Sequence, residues 1–208
     1  MSEKHEKISI NRLLNRVGGV LSEPKAYYDI IIAEGINLTE GLIVSFTAIL
    51  GTFSIAFSYS NISGINPYLA FILGYGIALG LWFLWTWTMF FAITRIFKLP
   101  GEYKEFFGIS SYALTTLILP MVFLSIERLI GVQEFPILTP IEFVVGIVWT
   151  IWFLATFYTG TNKYFKIDKK QFVTSLIMSI LILAAVISAI SLPFALFLAK
   201  YFEVLPFL

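Results

Sequence analysis

The sequence predicts an all-α integral membrane protein: a five-transmembrane-helix bundle with an N-terminal amphipathic interfacial helix. Hydrophobic residues make up 58% of the 208 residues, and charged residues make up only 13%. Soluble domains carry about 25% charged residues, so a chain this poor in charge cannot cover its surface in water. The charges are also separated by long charge-free stretches, which is the pattern of membrane-spanning helices.

The first element is a cytoplasmic amphipathic leader, residues 1–37, which precedes the membrane domain of residues 38–208. Its apolar residues recur at the spacing of one helical face, and Pro24 ends the helix. Such a helix lies in the headgroup region, with its basic face attracted to anionic lipid. The predicted membrane-interface residues are Ile10, Leu13, Leu14, Val17, Val20 and Leu21. The opposite, polar face is expected to carry Arg12, Asn15, Arg16, Ser22 and Glu23. The leader either anchors and orients the bundle or wedges into one leaflet and helps to set curvature.

The spans follow from the charge-free stretches. Residues 41–94 form one run without charge, far longer than the roughly 20 residues that one crossing needs. A polar turn at residues 59–66 divides this run into two spans. Three further runs, residues 106–126, 143–162 and 171–199, give one span each. The predicted spans are residues 40–58, 67–94, 108–130, 140–159 and 171–199.

Helix-capping patterns support four of the five starts. An N-cap residue is followed by proline at the first helical position, or a polar residue is followed three positions later by Glu or Gln, as in a capping box. The four patterns are Asn37-Leu38-Thr39-Glu40, Asn66-Pro67, Thr139-Pro140-Ile141-Glu142 and Asp168-Lys169-Lys170-Gln171.

The distribution of Lys and Arg predicts the orientation. Twelve of the 14 lie in the leader or in the loops at residues 95–104 and 163–170, and the other two are Arg128 and Lys200. Because cytoplasmic loops carry the excess of positive charge, the N-terminus is expected in the cytoplasm and the C-terminus outside. Abundant isoleucine and the absence of cysteine favour a prokaryotic source, and hence the plasma membrane.

The inventory of reactive groups argues against an enzyme. The chain has no cysteine, one histidine, His5, and two aspartates, Asp29 and Asp168. Intramembrane proteolysis needs a base beside a nucleophile or paired aspartates at depth, and hydrolytic metal sites need a His-rich cluster. We therefore expect no catalytic residue, cofactor or metal. A net charge of +1 argues against nucleic acid as a partner.

Small residues and prolines are the remaining signals within the spans. Small residues four apart let helices approach closely, either inside the bundle or across a homodimer face. The predicted packing residues are Ala70, Gly74, Gly76, Gly80, Ala184, Ala185, Ser188 and Ala189. Pro120 and Pro193 are expected to kink the third and fifth spans. Kinked helices can line a cavity, which leaves open a small transporter or channel for an apolar or lipid-like substrate.

Two segments carry a family resemblance. Leu13–Ile31 (LLNRVGGVLSEPKAYYDII), and Gly101–Ala113 (GEYKEFFGISSYA) followed by Pro120, resemble the Yip (Ypt-interacting protein) membrane domain. The short leader makes the chain similar to a prokaryotic, archaeal member. The resemblance implies five spans, a cytoplasmic N-terminus and no enzymatic activity, and eukaryotic relatives engage Rab-type GTPases in vesicle traffic.

Together these observations favour a membrane scaffold or adaptor that acts through its cytoplasmic face. Its expected partners are anionic lipid headgroups, with a protein partner or a homo-oligomer as further possibilities. The alternative is the transporter or channel for an apolar or lipid-like substrate.

Overall fold

The structure is a computed structural model that describes residues 9–58, 66–120, 122 and 138–204. All of the regular elements in these ranges are helical, which confirms the all-α fold. A 3-10 turn, Thr115–Leu117, continues α5, and residues 118–120 are again helical. The helices are α1 (Ile10–Ser22), α2 (Pro24–Glu34), α3 (Leu38–Ser58), α4 (Pro67–Ile96), α5 (Tyr103–Leu114), α6 (Leu138–Phe165) and α7 (Lys169–Val204).

Three helical segments in the described ranges are long and apolar enough to cross a membrane: Pro67–Ile96, Phe143–Phe165 and Lys169–Ala189. They correspond to the predicted second, fourth and fifth spans. The first predicted span contains a shorter apolar segment, Leu38–Ser54. The third, residues 108–130, begins in α5, but residue 121 and residues 123–130 lie outside the described residues. The five-span count therefore stays a prediction.

Two of the predicted helix starts are confirmed. The Asn66 side chain accepts hydrogen bonds from the backbone N–H groups of Tyr68 and Leu69, at 2.9 and 3.3 Å, with proline at the first helical position. At the start of α7 the Asp168 carboxylate accepts from the Gln171 N–H at 2.7 Å, and the Gln171 side chain accepts from the Asp168 N–H at 3.0 Å. This reciprocal pair is a capping box.

Of the other two predicted starts, one departs from the prediction and one lies outside the described side chains. Asn37 accepts from the Thr39 N–H at 2.9 Å, as a cap should. Glu40, however, does not reach back to the cap. Its side chain is 1% exposed and pairs with Arg16 of the leader. The capping role predicted for Glu40 is wrong, because a buried cation offers its carboxylate a stronger partner than a solvated backbone N–H does. The side chains of Thr139 and Glu142 lie outside the described residues.

Helix α5 occupies the centre of the bundle, and every residue from Phe106 to Leu114 is buried. It crosses α3 at a pair of glycines: a Cβ placed on Gly41 would lie 2.8 Å from the Gly108 Cα. No side chain fits between the two backbones there. Small residues permit such close helix contacts in membranes, and this contact sets the position of the charged groups described below.

Aromatic side chains fill the space between α4, α5, α6 and α7. The Trp85 and Phe157 ring centroids are 5.1 Å apart, and those of Phe106 and Phe165 are 5.5 Å apart. Phe172 of α7 meets Phe157 edge-on at 5.6 Å. Such tilted and edge-on ring pairs are favourable beyond the area that they bury, so they fix these four helices against one another.

The leader and the loops before α5 and after α6 gather at one end of the bundle. Lys163 of α6 forms an ion pair with Asp29 of α2, with Nζ and Oδ2 2.5 Å apart. The Tyr164 hydroxyl donates to the Glu105 carboxylate at 2.5 Å and accepts from the Glu102 N–H at 2.9 Å. We call this part of the molecule the charged end: α1, α2 and the loops at residues 97–102 and 166–168.

Candidate functional site: the leader docked on the bundle

The apolar stripe of α1 is divided between two environments. Val20 is fully buried, in a cluster with Tyr28 and Ile109. Ile10 and Leu14 are 74% and 60% exposed. The other three predicted interface residues, Leu13, Val17 and Leu21, are half-buried. One edge of the stripe therefore packs on the bundle while the other edge faces outward.

Arg16 is not on the exposed polar face, where the sequence prediction placed it. Its side chain is buried, with 2% of the residue exposed. At about 100° per residue, Arg16 lies only about 40° from Val20 around the helix. Because α1 docks through the Val20 edge of its stripe, the buried face is rotated far enough to include Arg16. The partner that draws Arg16 inward is the carboxylate of Glu40.

Arg16 and Glu40 form the centre of a buried ion-pair cluster. Arg16 donates from one terminal nitrogen to Glu40 Oε1 at 2.6 Å and from the other to Glu34 Oε2 at 2.5 Å. The Tyr112 hydroxyl donates to the same Glu40 oxygen. Arg12 lies 3.6 Å from the second Glu40 oxygen. We call these five residues the Arg16 cluster; its two cations and two carboxylates balance in formal charge.

Burial makes this cluster costly to break. Burial alone lowers the pKa of Arg16, but its hydrogen bonds to Glu34 and Glu40 raise that pKa above the ordinary value, so the guanidinium stays charged. Removing one partner of a buried ion pair typically costs about 3–5 kcal/mol, because the other charge is left uncompensated. The cluster thus favours one arrangement of the leader on the bundle.

Glycines bring the members of the cluster together. Glu40 adjoins Gly41, and Tyr112 lies one helical turn after Gly108, so the close α3–α5 crossing places the Tyr112 hydroxyl against the Glu40 carboxylate. A Cβ on Gly108 would also overlap the Ile36 side chain, which belongs to the connection between α2 and α3.

Helix α2 is wedged between α5 and α6. Tyr28 is fully buried and donates to the Ile109 carbonyl at 3.3 Å. A Cβ on Gly160 of α6 would lie 2.8 Å from the Tyr28 ring. Burial raises the pKa of Tyr28, and the nearby Tyr112 raises it further. Tyr28 therefore remains a protonated donor, and α2 is held by a polar contact as well as by packing.

The predicted small residues lie in different surroundings: one packs closely against another helix, and others are exposed. Gly74 packs against Phe53 of α3, where a Cβ would overlap the ring. Ala70 is half-buried, whereas Gly76 and Gly80 are exposed, and a Cβ on either glycine would meet nothing within 4 Å. In α7 the exposed small residues are Ala184, Ala185, Ser188 and Ala189. Of the eight predicted packing residues, Gly74 is thus the one that the structure places where an added Cβ would overlap a neighbouring helix.

The two predicted kink sites are both helical. Pro120 is buried and follows the 3-10 turn, in which the Thr115 and Thr116 hydroxyls donate to the carbonyls of Tyr112 and Ala113 at 2.7 and 2.8 Å. These hydroxyls satisfy carbonyls where the helix changes its hydrogen-bond pattern. Helix α7 is continuous through Pro193, whose side chain lies outside the described residues.

The fold and its charged end define a class of protein: a helical integral membrane protein with an amphipathic leader docked on one end of its bundle. Comparison with known protein families identifies the family to which the chain belongs. The profile of the Yip1 domain matches residues 18–192, which is most of the chain, from the docked part of the leader into α7. The chain belongs to the Yip1 domain family. No curated protein and no solved structure shows a significant match.

The Arg16 cluster is the feature that sequence reasoning missed. One signal was present, since Arg16 stands at helical spacing from Leu13 and Val20, on the border of the stripe. The pairing itself joins residues 24 positions apart, and spacing rules for a single helix say nothing about such contacts. Within the described ranges, His, Asp and Glu form no group of three or more that could hold a metal ion.

Proposed function

We propose that the chain is a non-enzymatic membrane scaffold or adaptor that acts through its charged end. The observation that carries the proposal is the Arg16 cluster, in which the buried pair of Arg16 and Glu40 fixes the leader to α3 of the bundle. Buried ionic contacts favour a specific arrangement over hydrophobic alternatives in several proteins. A leader held in this way presents a defined surface, as an adaptor requires.

The proposed orientation places the charged end in the cytoplasm of a prokaryote, at the plasma membrane. The excess of Lys and Arg at this end supports it. Exposed Ile10 and Leu14 would then contact lipid, as the apolar face of an interfacial helix does. The basic residues nearby would attract anionic headgroups or an acidic protein surface.

Two lysines support a role for positive charge at this end. Lys98 and Lys166 follow α4 and α6 with φ of 53° and 59°, the left-handed position where helices usually end in glycine. This backbone costs a non-glycine residue about 1–2 kcal/mol. Both side chains are exposed, so packing does not explain why lysine occupies either position.

An affinity experiment with the full chain in native membranes tests the adaptor role. We expect cross-linking and purification to recover one partner in stoichiometric amount. We expect that partner to be lost when four exposed lysines, in the two loops of the charged end and at the start of α7, are changed to Gln. Changing the same lysines to Arg is the matched control and should retain the partner. Recovery of no stoichiometric partner, or equal recovery with the Gln variant, would contradict the proposal. The lysines are Lys98, Lys166, Lys169 and Lys170.

A lateral groove favours the second candidate, a transporter for an apolar or lipid-like substrate. The groove has a volume of about 440 Å³ and is lined by Leu114, by Leu183 and Ile187 of α7, and by residues of α3 and α4. It therefore lies between the predicted third and fifth spans. Flux of a fluorescent lipid across proteoliposomes, reduced by Leu183→Trp, would support this candidate over the adaptor.

A further inference from the structure

A second groove runs between the α1–α2 elbow and α6. It consists of two adjoining cavities of about 530 and 450 Å³ that share Trp152 and Ala155. Each volume falls within the roughly 300–1,000 Å³ of typical ligand sites. The larger cavity is apolar and includes Leu21, Trp149 and Ile151. The smaller one forms the mouth, at the charged end.

Thr156 lies in the mouth and carries an unpartnered hydroxyl. The residue is 1% exposed, and its Oγ1 has no hydrogen-bond partner among the described residues. Thr159 and Thr161 of the same helix each donate to the carbonyl four residues earlier, at 2.8 and 2.7 Å. A buried polar group without a partner costs about 1–3 kcal/mol. Such a group in a native protein requires an explanation, and a bound water or ligand is one. Four other buried polar atoms of the described residues also lack a partner, but Thr156 is the one of the five residues that lines this groove.

The mouth also carries both signs of charge. Glu23 and Lys25 line it, and both are exposed. Neither forms an ion pair with any residue in the described ranges, whereas Asp29 and Lys163 close by are paired with each other. An occupant that satisfies this groove needs an anionic group for Lys25, a polar group for Thr156 and an apolar tail for the larger cavity.

We propose that this groove binds one phospholipid. Its phosphate contacts Lys25, a glycerol or ester oxygen accepts a hydrogen bond from the Thr156 hydroxyl, and one acyl chain lies along Trp149 and Trp152. The carboxylate of Glu23 suits the ammonium of an ethanolamine headgroup, so phosphatidylethanolamine is the probe of choice. The site is independent of the adaptor role, since it needs only that the chain lies in a membrane.

Native mass spectrometry of the full chain in detergent, titrated with phosphatidylethanolamine, tests the site. We expect one saturable lipid adduct, and an affinity about tenfold weaker in each of Lys25→Gln, Thr156→Val and Trp152→Ala. Lys104→Gln and Trp87→Ala are the matched controls, because both residues are exposed and neither lines the groove. Both controls should bind as the unmodified chain does.

Thr156→Val also separates loss of binding from loss of folding. Valine removes the unpartnered hydroxyl without opening a cavity, so the lipid-free variant should unfold at a temperature no lower than the unmodified chain. Added lipid should raise the unfolding temperature of the unmodified chain more than that of the variant. The proposal is overturned if no adduct saturates, if the controls weaken binding as much as the groove variants, or if inorganic phosphate displaces the lipid.

Discussion

At the residue scale, the pairing of Arg16 with Glu40 determines how the leader is positioned on the bundle. Both side chains are almost completely buried, and the Tyr112 hydroxyl joins them from α5. Three separate segments therefore meet at one carboxylate. Since a charge left alone in this position would be neither solvated nor paired, the three segments stabilise one another.

A double-mutant cycle on Arg16 and Glu40 tests this coupling. We expect Arg16→Ala and Glu40→Ala each to lower the free energy of unfolding by up to about 3–5 kcal/mol, because each removes the closest partner of a buried charge and leaves it only Glu34 or Arg12. The double variant should lose clearly less than the sum, with a coupling energy of about 1–3 kcal/mol. Denaturant unfolding of the purified chain in detergent measures all four proteins.

The exposed pair of Glu102 and Lys104 is the control for this cycle. Its charged atoms are 2.9 Å apart, but the side chains are 63% and 58% exposed, and exposed pairs contribute about 0–1 kcal/mol. A coupling between Arg16 and Glu40 no larger than that of this pair would mean that the cluster does not hold the leader.

At the scale of elements, the crossing of α3 and α5 depends on single glycines. The Gly41 and Gly108 backbones touch, and Ile36 covers Gly108 from the other side. The contact positions α5 so that its whole buried stretch lies inside the bundle. It also accounts physically for a glycine within the segment Gly101–Ala113, which carries the family resemblance.

Gly108→Ala is expected to destabilise the chain by about 1–3 kcal/mol, because the added methyl overlaps Ile36 and overpacking of this kind forces the backbone to move. Gly18→Ala is the matched control. Gly18 is an exposed helical residue with nothing within 4 Å of an added Cβ, so alanine there should be neutral or stabilise by up to about 1 kcal/mol. Thermal unfolding of the two variants side by side would contradict the account if Gly108→Ala were as stable as Gly18→Ala.

The elements show which parts of the structure the sequence could predict. The starts of α4 and α7 followed from local capping chemistry at Asn66 and Asp168, where every contact lies within three residues. The α3–α5 crossing did not. Gly108 has no small residue four positions away, and the spacing of Gly41 and Ser45 does not show which helix Gly41 contacts. The spaced motif at Gly76 and Gly80 predicted close packing inside the bundle or across a homodimer face. Both residues are exposed in the single chain, so the homodimer face stays a prediction. Pattern alone does not tell which helix, if any, covers a face.

At the scale of the whole molecule, the leader belongs to the bundle and also presents an exposed apolar edge. Its Val20 edge lies in the protein core, and its Ile10 and Leu14 edge is exposed. The charged end thus combines a docked helix, exposed lysines and the mouth of the proposed phospholipid groove.

The central claim is that α1 is docked on the bundle through its Val20 edge, and cysteine reactivity tests it most directly. The chain has no cysteine, so single substitutions need no altered background. In native membranes treated with a lipid-soluble maleimide, we expect Leu14→Cys to react readily and Val20→Cys to react about tenfold or more slowly, because only the second thiol is closed off by protein. Adding Glu40→Ala should speed the reaction of Val20→Cys. Equal rates at positions 14 and 20, unchanged by Glu40→Ala, would contradict the account, because the whole stripe would then lie in lipid.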